Sequence, residues 1–175
     1  MGKLILPFLM ILSIIFLSVN KKPVQTTLTI NDDISIPSFA SGHKIDKAFE
    51  SVGATRLVGY GKFFVKAERE YGINAIFMAA IALHESNLGT SRIAIEKNNL
   101  FGWGAYDESP FSSATTFPSI EVGIMYVTSR IKDFYYSNGY TTPEKVGMRY
   151  ASDPDWAEKV VKWASRIKYE IEEGF

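Results

Sequence analysis

The residue pattern predicts a mainly helical domain with one elaborated loop on its rim. Three observations carry that prediction. Apolar residues recur at helical spacing through most of residues 43–175. Helix start and stop signals bracket these stretches. One segment, 98–117, breaks the period with Gly, Pro, Ser and aromatic residues. At 175 residues and 46% apolar content, the chain suits a single core with short extras.

In chain order, Met1-Gly2-Lys3 leads into the uncharged apolar run 4–19, followed by Asn20-Lys21-Lys22. A short basic start and an apolar run fit a secretory signal. The run is close to a membrane span, and no A-x-A-like cleavage site follows it. Residues 1–20 therefore read as a signal peptide or an uncleaved signal anchor, an N-terminal apolar helix in either case. The remainder is expected to work outside the cytoplasm. Residues 21–42, rich in Thr, Ser, Asp, Asn and Pro, read as an extended spacer. The folded domain is expected over 43–175.

Within it, Leu57, Tyr60, Phe63, Phe64 and Ala67 form one apolar stripe, ended by Tyr71-Gly72. Asn74 is suited to cap a helix over 75–86, and Gly89 follows its end. That helix, AIFMAAIALHES, is apolar nearly all round, which predicts a central position. A short helical turn is expected over 91–96. Segment 98–117 reads as a long irregular loop with a small β-hairpin, and loops of that length are usually functional. Ser119 caps a helix over 120–137, and Thr142-Pro143-Glu144 starts a short one. Asp153-Pro154 starts the last, with proline at its first position and Trp156, Val160, Trp163, Ala164 and Ile167 on its inner face.

Several function classes drop out. Lys plus Arg equals Asp plus Glu at 19 each, so the basic excess of a dedicated nucleic-acid binder is missing. With no cysteine, disulfides, thiol catalysis and Cys-based zinc sites are excluded. His84-Glu85 begins an H-E-x-x-H pattern, but Leu88 stands where the second histidine belongs. The other histidine, His43, lies at the spacer edge, so zinc lacks ligands and a metalloprotease is not expected. His84 reads as a hydrogen-bonded neighbour of the site.

Glu85 is different. It ends a helix that should be buried. Desolvation and the negative end of the helix dipole both disfavour its ionised form. A carboxylic acid that keeps its proton near neutral pH is what glycosidic cleavage needs as general acid. The bland alternative is a carboxylate leaning into solvent at a frayed end. Downstream comes NNLFGWGAYD, residues 98–107. Asn amides can bond hydroxyls and acetamides, Trp and Tyr rings offer flat faces to sugars, and Gly permits close backbone approach. Anchoring aromatics in a turn would look the same.

Three motifs in one order, ALHESNLGTSRIA, KNNLFGWGAYD and YASDPDWAEKV, resemble the autolysin-type peptidoglycan β-N-acetylglucosaminidases of glycoside hydrolase family 73. The resemblance covers about residues 71–171. It implies a lysozyme-like α+β fold: a helical domain, a small, reduced β/loop lobe and a groove between them. Glu85 matches the family's catalytic acid in E-S-x-x-G. Tyr150 matches a tyrosine lining the site. Asp153 matches the motif aspartate, with helix capping as its expected job. Asn98, Asn99, Phe101 and Gly102 match the loop that shapes the groove.

The resemblance implies cleavage of β-1,4 bonds of N-acetylglucosamine in peptidoglycan, with no metal or organic cofactor. Trp103, Tyr106 and Phe111 are expected to stack on sugar rings. The second carboxylate of larger family members has no secure counterpart here. Asp107 and Glu108 are the nearest candidates. Glu121, in the first turn of a helix, is a poorer one. Alternatively the substrate's own acetamido oxygen attacks. A lytic transglycosylase or muramidase on the same general fold, and a wall-binding module without activity, are the rival readings. Glycan strands, and the membrane through residues 1–20, are the expected partners.

Overall fold

The computed structural model describes residues 28–106 and 108–173. The apolar run 4–19, expected as a signal or anchor, lies outside the described residues, as does Asp107. No described helix is long and apolar enough to cross a membrane.

The centre is helix α3, Ala75–Glu85, in which Ala75 through Leu83 are all buried. The Asn74 side chain caps it by accepting from the Phe77 amide at 2.9 Å. The last helix, α8 (Trp156–Glu173), lies along α3 and buries Trp156, Ala157, Val160, Ala164 and Ile167. Trp163, expected on the same face, is half-buried at its edge. Helices α1 (Gly42–Ser51) and α2 (Gly61–Tyr71) close the other sides, α1 against α8, and α2 against α3 and α6 (Ile120–Arg130). The short α7, Pro143–Tyr150, packs on α8.

Several boundaries differ from expectation for local reasons. The stripe 57–71 is split: a 3₁₀ turn, Thr55–Leu57, precedes α2, and Gly59 at φ 95° breaks the helix between them. The helix expected over 120–137 ends as α6 at Arg130, then continues as a π-turn, Ile131–Tyr135, and a 3₁₀ turn, Tyr136–Asn138. The last helix starts at Trp156 rather than at Pro154. The Asp153 carboxylate accepts from the Asp155 amide at 3.0 Å and makes Pro154-Asp155 a turn ahead of it.

From residue 28 onward, the stretch expected as spacer belongs to the folded body. Its isolated apolar residues dock: Ile34 is fully buried, and Leu28 and Ile30 pack on the core. Its backbone is tied by Ile34 N–H to Thr141 (2.9 Å), Asn74 N–H to Ile34 (2.8 Å) and Glu144 N–H to Ile30 (3.0 Å). Ser41 then caps α1, a helix that the sequence pattern did not signal.

The expected β-hairpin is not formed: there is no strand among the described residues. Helix α4, Arg92–Lys97, ends at Asn98 in a left-handed conformation. The chain then runs through turns and a single short helix, α5 (Pro110–Ser113), back to α6. Two backbone bonds cross the segment, Thr115 N–H to Trp103 (2.9 Å) and Phe117 N–H to Lys97 (2.9 Å). Side chains supply the remaining long-range ties, and one of them makes four. Asn99, buried, donates to the Trp103 and Thr115 carbonyls and accepts from the Phe101 and Trp103 amides. An amide that uses all four of its hydrogen-bonding positions on one loop replaces the ladder a hairpin would supply.

Candidate active site

The C-terminal end of α3 is shaped by the serine that follows Glu85. The buried Ser86 hydroxyl donates to the Ala82 carbonyl at 2.5 Å and accepts from the Gly89 amide at 2.7 Å. It thereby stops the helix and folds the chain back on it. Asn87, Leu88 and Gly89 follow at φ 48°, 59° and 81°, three consecutive left-handed residues. A non-glycine residue in that region costs about 1–3 kcal/mol, which the surrounding bonds must hold. Gly89 has a second reason to be glycine: a Cβ there would lie 2.2 Å from the Leu57 side chain. The spacing Glu-Ser-x-x-Gly is thus a helix stop that fixes the last helical side chain.

That side chain is Glu85. Its Oε1 accepts from the Trp156 indole N–H at 2.6 Å. Its Oε2 faces Gly102 across the cleft, 3.7 Å from where a Cβ would sit. Gly102, at φ 60°, leaves that approach open. Burial pushes the Glu85 carboxyl above its ordinary range, and the negative Asp153 adds to this. The Trp156 hydrogen bond and His84 pull the other way without cancelling it.

Trp156 is itself fixed. The Tyr150 ring stacks on it with centroids 5.0 Å apart, and Gly147 of α7 leaves room for its six-membered ring. The Tyr150 hydroxyl donates to the Phe101 carbonyl at 2.8 Å, clipping α7 to the loop. Burial pushes its phenol well above the usual range, so it stays a neutral donor.

These groups line a cleft of about 610 Å³ between the α3/α8 corner and the loop. Among the sequence-predicted residues, the cleft brings together Glu85, His84, Tyr150, Phe101, Gly102, Trp103, Tyr106 and Asp153. The remaining candidates lie outside this group. The amides of Asn98 and Asn99 suit sugar hydroxyls and acetamides, but their donors are turned to the loop. The Asn98 amide donates to the Phe117 carbonyl at 3.0 Å, and all of the Asn99 amide is spent on the loop, so both shape it from behind. The Phe111 ring carries Arg92 at 3.8 Å and Lys97 at 4.9 Å, and it sits outside the cleft lining. Glu108 is exposed and also outside that lining. Glu121 pairs with Lys66 at 3.5 Å.

Sequence reasoning placed Trp156 on the inner face of its helix and missed its bond to Glu85. The available signal was that a buried indole N–H must find an acceptor. Tyr135 and Ile93, also in the lining, had no distinguishing signal.

The cleft presents a carboxyl of raised pKa beside aromatic faces. Asp153 is the second carboxylate in its lining among the described residues. It is tied to Lys159 at 2.5 Å, which holds its carboxyl below the usual range.

Comparisons with known proteins identify the family. Residues 61–169 match the Glucosaminidase family model, described as mannosyl-glycoprotein endo-beta-N-acetylglucosaminidase. A Streptococcus pneumoniae protein described as "Putative endo-beta-N-acetylglucosaminidase" is 36% identical over 145 residues, covering 79% of this chain and 22% of its own length. A Staphylococcus aureus bifunctional autolysin is 27% identical over 158 residues, covering 72% of this chain and 12% of its own length. The chain thus spans less than a quarter of the length of these curated relatives. Among solved structures, S. aureus autolysin E in complex with the muropeptide NAM-L-Ala-D-iGlu superposes with a TM-score of 0.65 at 25% identity, covering 83% of this chain and 74% of that one. With more than half its length matched by the family model, the chain belongs to the glucosaminidase family, the autolysin-type endo-β-N-acetylglucosaminidases of glycoside hydrolase family 73.

Proposed function

We propose that this domain hydrolyses the β-1,4 bond of N-acetylglucosamine within peptidoglycan glycan strands, remodelling or lysing the wall. One observation carries the reading: Glu85 is a half-buried carboxyl with a raised pKa, one oxygen held by Trp156 and the other open to an aromatic-lined cleft. The muropeptide complex of the S. aureus relative supports the substrate class. Residues 4–19 carry the domain out of the cytoplasm, as a cleaved signal or as an anchor.

In this reading Glu85 Oε2 gives its proton to the bridging oxygen as the C1–O bond breaks. Trp103 and Tyr106 stack on the sugars. Phe101 and Tyr150 hold the loop wall in place. The attack on C1 comes from the substrate's own 2-acetamido oxygen, an accepted departure from the two-carboxylate scheme. Among the described carboxylates, the engagement of Asp153 by Lys159 and the exposure of Glu108 outside the cleft favour this over a protein nucleophile. The product of that step is an oxazolinium. Water then adds at C1, the now ionised Glu85 takes the water's proton, and the acetamide is restored. The anomeric configuration is retained.

Mass spectrometry of digested peptidoglycan tests the bond cleaved: reducing-end N-acetylglucosamine is expected, and anhydro-muramic ends would replace this reading with a lytic transglycosylase. Equal lysis by wild type and Glu85→Gln in a zymogram would overturn enzymatic function in favour of a wall-binding module. Asp107→Asn and Glu108→Gln should each keep most of the activity. Loss in either returns a second carboxylate to the mechanism.

A further inference from the structure

A second groove, of about 880 Å³, opens beside the cleft. One stripe of α8 lines it, Lys159, Lys162, Trp163, Arg166 and Tyr169, opposite the end of α1. His84 lines both the groove and the catalytic cleft, so the two meet next to Glu85. Residues three and four apart share a helix face, which puts these cations and rings in one row. From position 159 to 169 the row runs about 15 Å at the helical rise, the length of about four extended peptide residues.

The groove is basic and aromatic together. Among the described residues no carboxylate lines it. Asp153 meets Lys159 at the cleft end (2.5 Å), and Glu170 meets Arg166 (2.8 Å). Lys162 is exposed and is in no ion pair among the described residues. Trp163 is half-buried and Tyr169 is 57% exposed, so ring faces alternate with the charges.

We propose that this groove takes the acidic peptide stem carried by the N-acetylmuramyl unit next to the scissile bond. The proposal rests on the hydrolase reading above. A glycan seated at Glu85 must lead its peptide branches out sideways, and the groove that borders the cleft at His84 is the surface next to it. The stem's carboxylates would face Lys162 and Arg166, and its apolar side chains would face Trp163 and Tyr169. The groove's length matches a stem of about four residues.

The test compares intact peptidoglycan with the same glycan stripped of its peptides, using wild type and the double variant Lys162→Ala/Arg166→Gln. The variant is expected to lose about 5- to 10-fold in kcat/KM on the peptide-bearing substrate, as two exposed charge pairs would give. It should equal wild type on stripped glycan. The wild-type preference for peptide-bearing substrate should shrink at high salt, because exposed pairs are screened. Equal losses on both substrates, or a wild type without preference, would overturn the groove while leaving the hydrolase intact. A loss seen on stripped glycan only when it still carries anionic wall polymer would assign the groove to that polymer and overturn the peptide. No cleavage of either substrate by wild type would overturn the hydrolase reading and the groove with it.

Discussion

The two walls of the cleft are built by different physics. On one side, Glu85 and Trp156 stand at the ends of α3 and α8, two helices packed along the middle of the core. Their positions follow from buried apolar packing, which tolerates little displacement. On the other side, Trp103 and Tyr106 ride on a strandless loop whose shape is set by the amide of Asn99 and the hydroxyl of Tyr150. Packing holds the proton donor, and directional hydrogen bonds hold the binding platform. Damage to the first wall should therefore appear in kcat, and damage to the second mainly in KM.

The largest effect should come from Glu85→Gln, which keeps shape and removes the proton. A loss of about 10²–10⁴-fold in kcat is expected, with KM little changed. The same variant has a stability signature of opposite sign. Burial raises the folded-state pKa of Glu85 above its ordinary value. Its contribution to stability is therefore complete below the unfolded-state pKa and is lost as pH rises through the folded one. Gln escapes that loss, so the variant should melt higher than wild type on the alkaline side and lower its pH dependence there. A variant with wild-type activity, or one melting lower across that range, would break the assignment.

Trp156→Phe comes next. It keeps most of the packing and deletes the donor to Oε1. A misdirected carboxyl is expected to cost about 10- to 100-fold in kcat. Since that hydrogen bond lowers the Glu85 pKa, the alkaline limb of the activity profile should move to higher pH. The groups otherwise facing Glu85, His84 and Asp153, are unchanged. A loss of activity with an unmoved limb would make Trp156 a packing residue only.

The same division decides what could be read from the sequence. The packed wall was legible: an all-round apolar α3, its Asn74 cap, the inner face of α8 and the acid at the helix end all follow from periodicity and capping. The loop wall was legible in composition and not in form. Its residue types pointed to sugar binding, but nothing local distinguished a hairpin from turns tied by one buried amide. Asn98 and Asn99 looked like ligands because an amide suits a hydroxyl as well as a backbone carbonyl. Phe111 looked like a stacking ring, and Arg92 and Lys97, from a different element, cover it. Long-range partners of this kind leave no periodic trace. Residues 28–41 failed for a related reason: scattered apolar residues make no pattern, yet Ile34 is fully buried.

Asn99→Ala probes the loop wall at its hinge. Removing the amide orphans buried backbone groups at Phe101, Trp103 and Thr115, costing about 2–3 kcal/mol of stability. With Trp103 no longer held, KM should rise by about tenfold, the worth of a displaced stacking ring, while kcat at saturation falls less. Thermal melting and a KM-against-kcat split read both. If kcat falls as far as in Trp156→Phe, the loop also positions the acid, through the Tyr150–Phe101 bond, and the two walls are not separable.

Tyr106→Ala should have the smallest effect and gives the cleanest reading of the loop wall. The ring is 71% exposed, so its removal should leave the melting temperature within error. An exposed ring that stacks on a sugar is worth roughly two- to fivefold in binding, and that factor should appear in KM alone. The backbone amide of residue 106, which donates to the Ser113 hydroxyl at 2.8 Å, survives the substitution and keeps the loop in register. A change in kcat without a change in KM would mean that this ring acts on the reacting bond. The platform would then share in the chemistry that the division assigns to the core.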